Sequence, residues 1–173
     1  MDQGRAAVYG AAIGVLGTLL GSCITWLQLR TQAKASNSQW RRQVQRDSYG
    51  VLLERVDSLR KAFEPIERRA LASTSTAADS AALEVARDAL LPEVDAAIIV
   101  VLLEGPATIA ERAILLSHTI RAWGEVLEAL VGTVLADDPE AEAGKDAVRS
   151  VSQEAGEAVG GFLLSARKHL DKA

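Results

Sequence analysis

The chain has 173 residues and a formal charge of −4, with 49% apolar but only 4% aromatic side chains. That composition gives room for one modest domain with an aliphatic, Ala-rich core, and it favours packed helices over a sheet rich in aromatic and β-branched residues. One cysteine, Cys23, excludes an intrachain disulfide, and two histidines leave little material for a metal site.

From Ala6 to Leu29, between Arg5 and Arg30, 24 consecutive residues carry no formal charge. As a helix they cover about 36 Å, against about 30 Å for a bilayer core, so the stretch is long enough to span with some tilt. Residues 1–5 form a short tail before it. Gly10, Gly14, Gly17 and Gly21 recur at intervals of 4, 3 and 4, which places them on one stripe and includes two GxxxG matches. Helices in lipid associate through close backbone contact, so the stripe predicts self-association; the plainer reading is that glycine is common in membrane helices. Tyr9 and Trp26 are placed as interfacial anchors.

Arg30, Lys34, Arg41, Arg42 and Arg46 follow with no acid before Asp47. This bias predicts an outside N-terminus and a cytoplasmic C-terminal part, with the basic residues meeting anionic headgroups. A cleaved signal peptide would have a shorter apolar core. Leu20-Gly21-Ser22-Cys23 offers a second alternative, a bacterial lipobox with lipid on Cys23, but the apolar run continues past the cysteine as Ile-Thr-Trp-Leu. Cys23 reads instead as a small residue facing lipid or a neighbour. Trp40 has two readings, insertion among headgroups or packing on the folded part.

Residues 30–38 read as a basic juxtamembrane hinge and 39–173 as a helical bundle. Ser36 and Gln39 fit a capping box for a new helix, although the membrane helix running straight through is also possible. Tyr49, Leu52, Val56, Leu59, Phe63 and Ile66 form a 3/4-spaced seam ending near Ala72, with Pro65 predicted to kink or shorten it. Ser73-Thr-Ser-Thr76 is a small-polar linker suited to capping. Leu83, Ala86, Leu90, Val94, Ala97 and Val101 continue a second seam past Pro92. Residues 96–103 are β-branched enough for a buried strand, but no partner strand exists in the chain, so they read as the buried end of a Pro-kinked helix.

Gly105-Pro106 predicts a stop and a start, with proline at the first position of the next helix. Ile109, Ala113, Leu116, Ile120, Trp123, Leu127, Leu130 and Val134 make the clearest seam. Asp138 before Pro139 is the predicted N-cap of a last helix carrying Val148, Val151, Ala155, Val159, Phe162, Ala166 and Leu170. Gly156, Gly160 and Gly161 weaken that helix and suggest close approach to a neighbour, or a local break. Arg167, Lys168 and His169 suit its negative end. The expected fold is all-α: one N-terminal transmembrane helix followed by an antiparallel four-helix bundle.

With Trp40-Arg41-Arg42, Arg46, Tyr49 and Leu52-Leu53, then Val101, Leu103 and Gly105-Pro106, and a terminal Phe162-Leu-Leu-Ser-Ala-Arg167 with Leu170, the chain resembles a loosely defined group of bacterial membrane-anchored helical proteins. That group has no established activity, so the resemblance carries over no catalytic or binding residue. Arg outnumbering Lys, with abundant Ala, agrees with a GC-rich bacterial source.

Sequence chemistry points away from catalysis. There is no phosphate-cradling glycine loop, HExxH, CxxC or nucleophile elbow. His118 falls off its seam and has no carboxylate neighbour; Glu111, Glu125 and Glu128 read as solvated. Residues 30–69 hold ten Lys/Arg against five Asp/Glu, whereas residues 70–173 hold eight against seventeen. Basic charge beside a membrane and acid beyond it argue against nucleic acid. The expected function is a membrane-tethered interaction or scaffold module without catalysis, cofactor or metal, which self-associates or binds a protein partner. The alternative is a small effector whose Gly-striped helix oligomerises and perturbs the bilayer.

Overall fold

The structure, a computed structural model, describes residues 39–172. The tail, the apolar stretch 6–29 with Gly10, Gly14, Gly17, Gly21 and Cys23, the hinge with Arg30 and Lys34, and the Ser36 cap lie outside the described residues. Among the described residues, no helix is long and apolar enough to cross a membrane. Residues 39–43 belong to one unit and 44–172 to another.

The described chain is all helix, with no strand among the described residues. Helix α1 covers residues 39–71, α2 is Ala77–Glu104, α3 is Ala107–Leu135 and α4 is Ala141–Lys172. Residues 96–103 are therefore helical, as the lack of a partner strand required.

Contacts between named side chains give the packing. Arg69 donates to Asp79 at 2.7 Å, Arg55 pairs with Glu93 at 3.1 Å, and Gln45 reaches the carbonyl of Glu104, so α1 and α2 run in opposite directions. Ion pairs Arg121–Asp95 and Arg87–Glu128 do the same for α2 and α3. Tyr49 against Phe162 and Glu67 against Ser152 return α4 antiparallel to α1. Each of the four packs on its chain neighbours, and α1 also meets α3 through Phe63 and Trp123, whose rings meet edge to face at 5.2 Å. The result is a helical bundle within residues 44–172.

The seams predict this core well. Tyr49, Leu52, Val56, Leu59, Phe63 and Ile66 are buried, and Ala70 extends the row. On α3, Ile109, Ala113, Leu116, Ile120, Trp123, Leu127 and Leu130 are buried, while Val134 is half-buried. Burying a large aliphatic side chain contributes roughly 1.5–3 kcal/mol, so these rows dominate the favourable side of folding.

Four local expectations need correction. The early end considered at Pro65 does not occur, while α2 runs through Pro92 as expected. The carbonyls they release, on Lys61 and Asp88, belong to exposed residues where water can accept the loss. The stretch 96–103 is not a buried end: Ala97, Ile98 and Val101 are buried, but Ile99, Val100, Leu102 and Leu103 are exposed. Pro106 is the N-cap of α3 rather than its first residue; its extended backbone (ψ 158°) lets its carbonyl accept from Ile109 and Ala110. Finally, a Cβ added at Gly156 or Gly160 would meet nothing within 4 Å, and one at Gly161 only the Arg112 guanidinium. Close approach occurs instead at Gly124, where a Cβ would stand 3.3 Å from the Phe63 ring, and at Gly144, 3.1 Å from Leu130.

Helix ends follow known chemistry. Thr76 caps α2 as expected of the linker: its N–H and hydroxyl both donate to Asp79, at 2.8 and 2.9 Å. The Arg69 guanidinium, with these donors, holds the Asp79 carboxyl below its ordinary pKa against the opposing effect of burial. Helix α4 begins at Ala141, so Asp138, the expected N-cap, stands two residues before the cap place, where its Oδ1 accepts from the Glu140 N–H at 2.9 Å in the turn leading into the helix. Helices α1 and α3 end alike. Thr74 N–H reaches the Arg69 carbonyl and Ser73 that of Ala70; Asp138 reaches Thr133 and Asp137 reaches Val134. These are Schellman closures, with Ser73 (φ 56°) and Asp137 (φ 53°) in the left-handed position that glycine fills without cost.

Candidate functional site

Two features of unit 44–172 stand apart from ordinary core packing. The first lies at one end of the bundle. Gln45 donates from Nε2 to the Glu104 carbonyl at 2.6 Å, while its Oε1 lies 3.2 Å from His169 Nε2. Four residues on, Tyr49 meets Phe162 edge to face at 5.9 Å, and its hydroxyl would stand 3.2 Å from a Cβ on Gly105. These contacts bring the early turns of α1, the end of α2, the start of α3 and the last turns of α4 to one end.

Large aliphatic side chains are exposed there on every helix. Helix α2 shows Ile99, Val100, Leu102 and Leu103, the last 78% exposed. Directly after Phe162, α4 shows Leu163 and Leu164, the latter 72% exposed. Helix α3 adds Ile114 and Leu115, two turns from its start, and α1 adds Val51, two residues past Tyr49. They form a belt roughly two helical turns, about 10 Å, deep. Elsewhere among the described residues of this unit, the exposed large aliphatics are Val85 and Leu135. Single exposed aliphatics are ordinary on protein surfaces; nine at one level on four helices are not. The sequence signal was present in Ala96–Leu103, where eight apolar residues in a row exceed what one buried helix face can take.

The second feature is a groove over α1, α3 and α4, about 120 Å³ in volume, with Val56, Leu59, Ile120, Trp123 and Val159 along it and Arg60, Glu64 and Ser152 at its polar side. Gly156 leaves it open. Beside it Glu67 is half-buried and accepts from the Ser152 hydroxyl at 3.3 Å. Burial raises the Glu67 carboxyl above its ordinary pKa, while Ser152 and the Trp123 indole pull it back. The indole contact falls short of hydrogen-bond geometry, so Trp123 Nε1 stays buried without a full partner. This cluster joins residues 85 positions apart, which no local pattern reveals. It holds one acid, one hydroxyl and one N–H donor.

A raised carboxyl pKa has a definite sign in stability. The folded state binds the proton more readily than the unfolded chain, so Glu67 costs stability at neutral pH, and the cost is relieved as pH falls through its folded pKa. Glu67→Gln is therefore expected to raise the melting temperature at neutral pH. The gain should vanish in acid, below the ordinary carboxylate range, in circular-dichroism melts of the full chain. A gain that persists unchanged in acid would show that shape rather than charge is responsible.

Of the predicted lipid-contact residues, Arg41 and Arg42 are exposed on the helical turns of the first unit, and Arg46 is exposed near the start of the second. Trp40, also in the first unit, is exposed. His118 is exposed, as its place off the seam predicts. Glu111 and Glu125 are exposed; Glu128 is exposed but paired with Arg87. Among the described residues, no three His, Cys, Asp or Glu side chains stand together as a metal set. No protein-family model, curated protein or solved structure matches the chain.

Proposed function

We propose that the chain is a membrane-tethered helical interaction or scaffold module without catalytic activity, held in a bacterial cell membrane by residues 6–29. Its N-terminus lies outside and its bundle in the cytoplasm. The observation that carries this reading is the uncharged 24-residue stretch followed by Arg30, Lys34, Arg41, Arg42 and Arg46 before any acid. The stripe Gly10, Gly14, Gly17, Gly21 supports a homo-oligomer through close backbone contact. An exposed aliphatic surface on the bundle supports a binding role. The stripe equally favours one alternative, a small effector whose assembled helices perturb the bilayer.

In cells, an engineered cysteine between Asp137 and Asp146 is expected to stay unlabelled by an impermeant thiol reagent until the membrane is permeabilised. Labelling of intact cells would overturn the orientation. Gly14→Ile and Gly17→Ile should weaken association in a membrane two-hybrid assay, where Ile13→Leu does not. Overexpression separates tether from effector: membrane depolarisation that Gly14→Ile abolishes would establish the alternative.

A further inference from the structure

We infer that the outer face of α2 pairs with the same face of a second copy, the two helices running antiparallel, so that the bundle is one half of a reversible homodimer. This deepens the reading of the chain as an interaction module by naming the partner and the face. It draws on residues 44–172 alone and does not depend on where residues 6–29 lie.

Helix α2 has two apolar faces. Leu83, Val94, Ala97 and Val101 turn toward the core. On roughly the opposite side a second row begins with Ala78, Ala82, Val85 and Ala89. It continues with Pro92, Ala96, Ile99 and Leu103. Its intervals are 4 and 3 in turn, every member is exposed, and no charged residue interrupts it. The outer side of a solvated helix normally carries its charges. Here it stays uncharged for the length of the helix, about 38 Å.

The order of sizes along the row selects the occupant. Three of the first four residues are alanine, whereas Ile99 and Leu103 stand near the other end. The alternation of 4 and 3 reads the same in both directions. An antiparallel copy therefore sets Ala78 against Leu103, Ala82 against Ile99, Val85 against Ala96 and Ala89 against Pro92. Small meets large along the row, and a twofold axis makes each contact twice. The helix axes stay evenly spaced, as close packing requires. A parallel copy would set leucine on leucine at one end and alanine on alanine at the other, wedging the helices apart.

Charge agrees. A twofold axis perpendicular to the helices keeps the α1 side with the α1 side and reverses the levels. Beside α1, exposed Glu104 has no ion-pair partner among the described residues, and exposed Arg69 stands beside Asp79 at the other end. The axis brings Glu104 of each copy to Arg69 of the other. Beside α3, exposed Asp88, also without an ion-pair partner among the described residues, arrives level with the Arg121–Asp95 pair. Val51 lies one turn before Arg55, and Ile114 two turns before Arg121, so both extend the apolar edge. Two such faces, each about 38 Å by 10 Å, bury on the order of 1,000 Å² with their edges, enough for a reversible dimer.

The test uses the full chain in membranes from bacterial cells that make two differently tagged forms, both Cys23→Ser. One form carries Ala82→Cys and the other Ile99→Cys. A short bismaleimide is expected to join the two forms to each other and neither to itself, because like positions lie about 25 Å apart in the antiparallel pair. Ala147→Cys, exposed on α4, should link to neither. Val85→Lys in the first form should cut the linked product several-fold. Ala96→Glu in the second should restore it, which a folding defect would not allow. Ala82→Cys joined to itself would make the copies parallel and overturn the arrangement. Unlinked cysteines would overturn the dimer, whether they stay open to a bulky maleimide or are shielded by another molecule or by residues 6–29. Release of the chain from membranes by an alkaline wash would instead sink the anchor of the proposed function, and the same cross-link would then be read in the soluble fraction.

Discussion

Leu127→Asp is expected to unfold the bundle, with loss of helical circular dichroism at temperatures where the unsubstituted chain is intact. Leu127 is fully buried on α3, the helix that packs against both α2 and α4 and meets α1 through Trp123. An aspartate there forfeits about 2–3 kcal/mol of apolar burial and adds an uncompensated charge, together on the order of 5 kcal/mol or more. A whole domain of this size has about 5–15 kcal/mol to lose. Leu116→Asp, also fully buried on the same seam, should behave alike. His118→Gln, two residues away but exposed, should leave the melt unchanged. A melting curve indifferent to Leu127→Asp would mean that α3 presents a different face to the core.

Phe63→Ala is expected to cost about 3–5 kcal/mol, the second largest effect. Phe63 has no exposed surface and meets Trp123 edge to face; its ring would lie 3.3 Å from a Cβ on Gly124. Truncation therefore leaves a hole between α1 and α3 at the point where a glycine has already given up its side chain to admit the ring. Urea denaturation of the full chain should show a lower midpoint with little change in slope. Filling part of the hole from the other side, with Gly124→Ala in the Phe63→Ala background, should recover some of the loss. A cost below about 1 kcal/mol would mean that the neighbours collapse into the space.

Where a residue's fate depends on its own helix, the sequence predicts it: a 3/4 row such as Ile109 to Leu130 can form only one buried stripe. Caps are equally local, and the expectation for Thr76 holds. Reading falters where the outcome depends on which side of a helix faces solvent. Pro65 could have shortened α1, yet the bond it deletes lies at an exposed residue and the helix runs on. Gly156, Gly160 and Gly161 suggest close approach, but the actual approaches are at Gly124 on α3 and at Gly144 in the first turn of α4, set by a phenylalanine and a leucine on other helices. The Schellman ends at Ser73 and Asp137 lack the glycine that usually announces them. Glu67, Ser152 and Trp123 meet only because three helices converge, so nothing in the local pattern names them.

Helix α4 buries a different kind of side chain from its neighbours. Its apolar contribution to the interior is Val148, Ala155, Ala158, Phe162 and Ala166, whereas α3 supplies six large residues besides Trp123. Releasing α4 withdraws mostly small side chains from the interior, and its open glycines gain more backbone freedom when released. The bundle should therefore possess a detachable wall. In hydrogen exchange, amides in the middle of α4 should trade with solvent at a lower free energy than those of α3, as one cooperative group. Once α4 leaves, Tyr49 loses its Phe162 neighbour and the groove beside Trp123 becomes an open apolar trough.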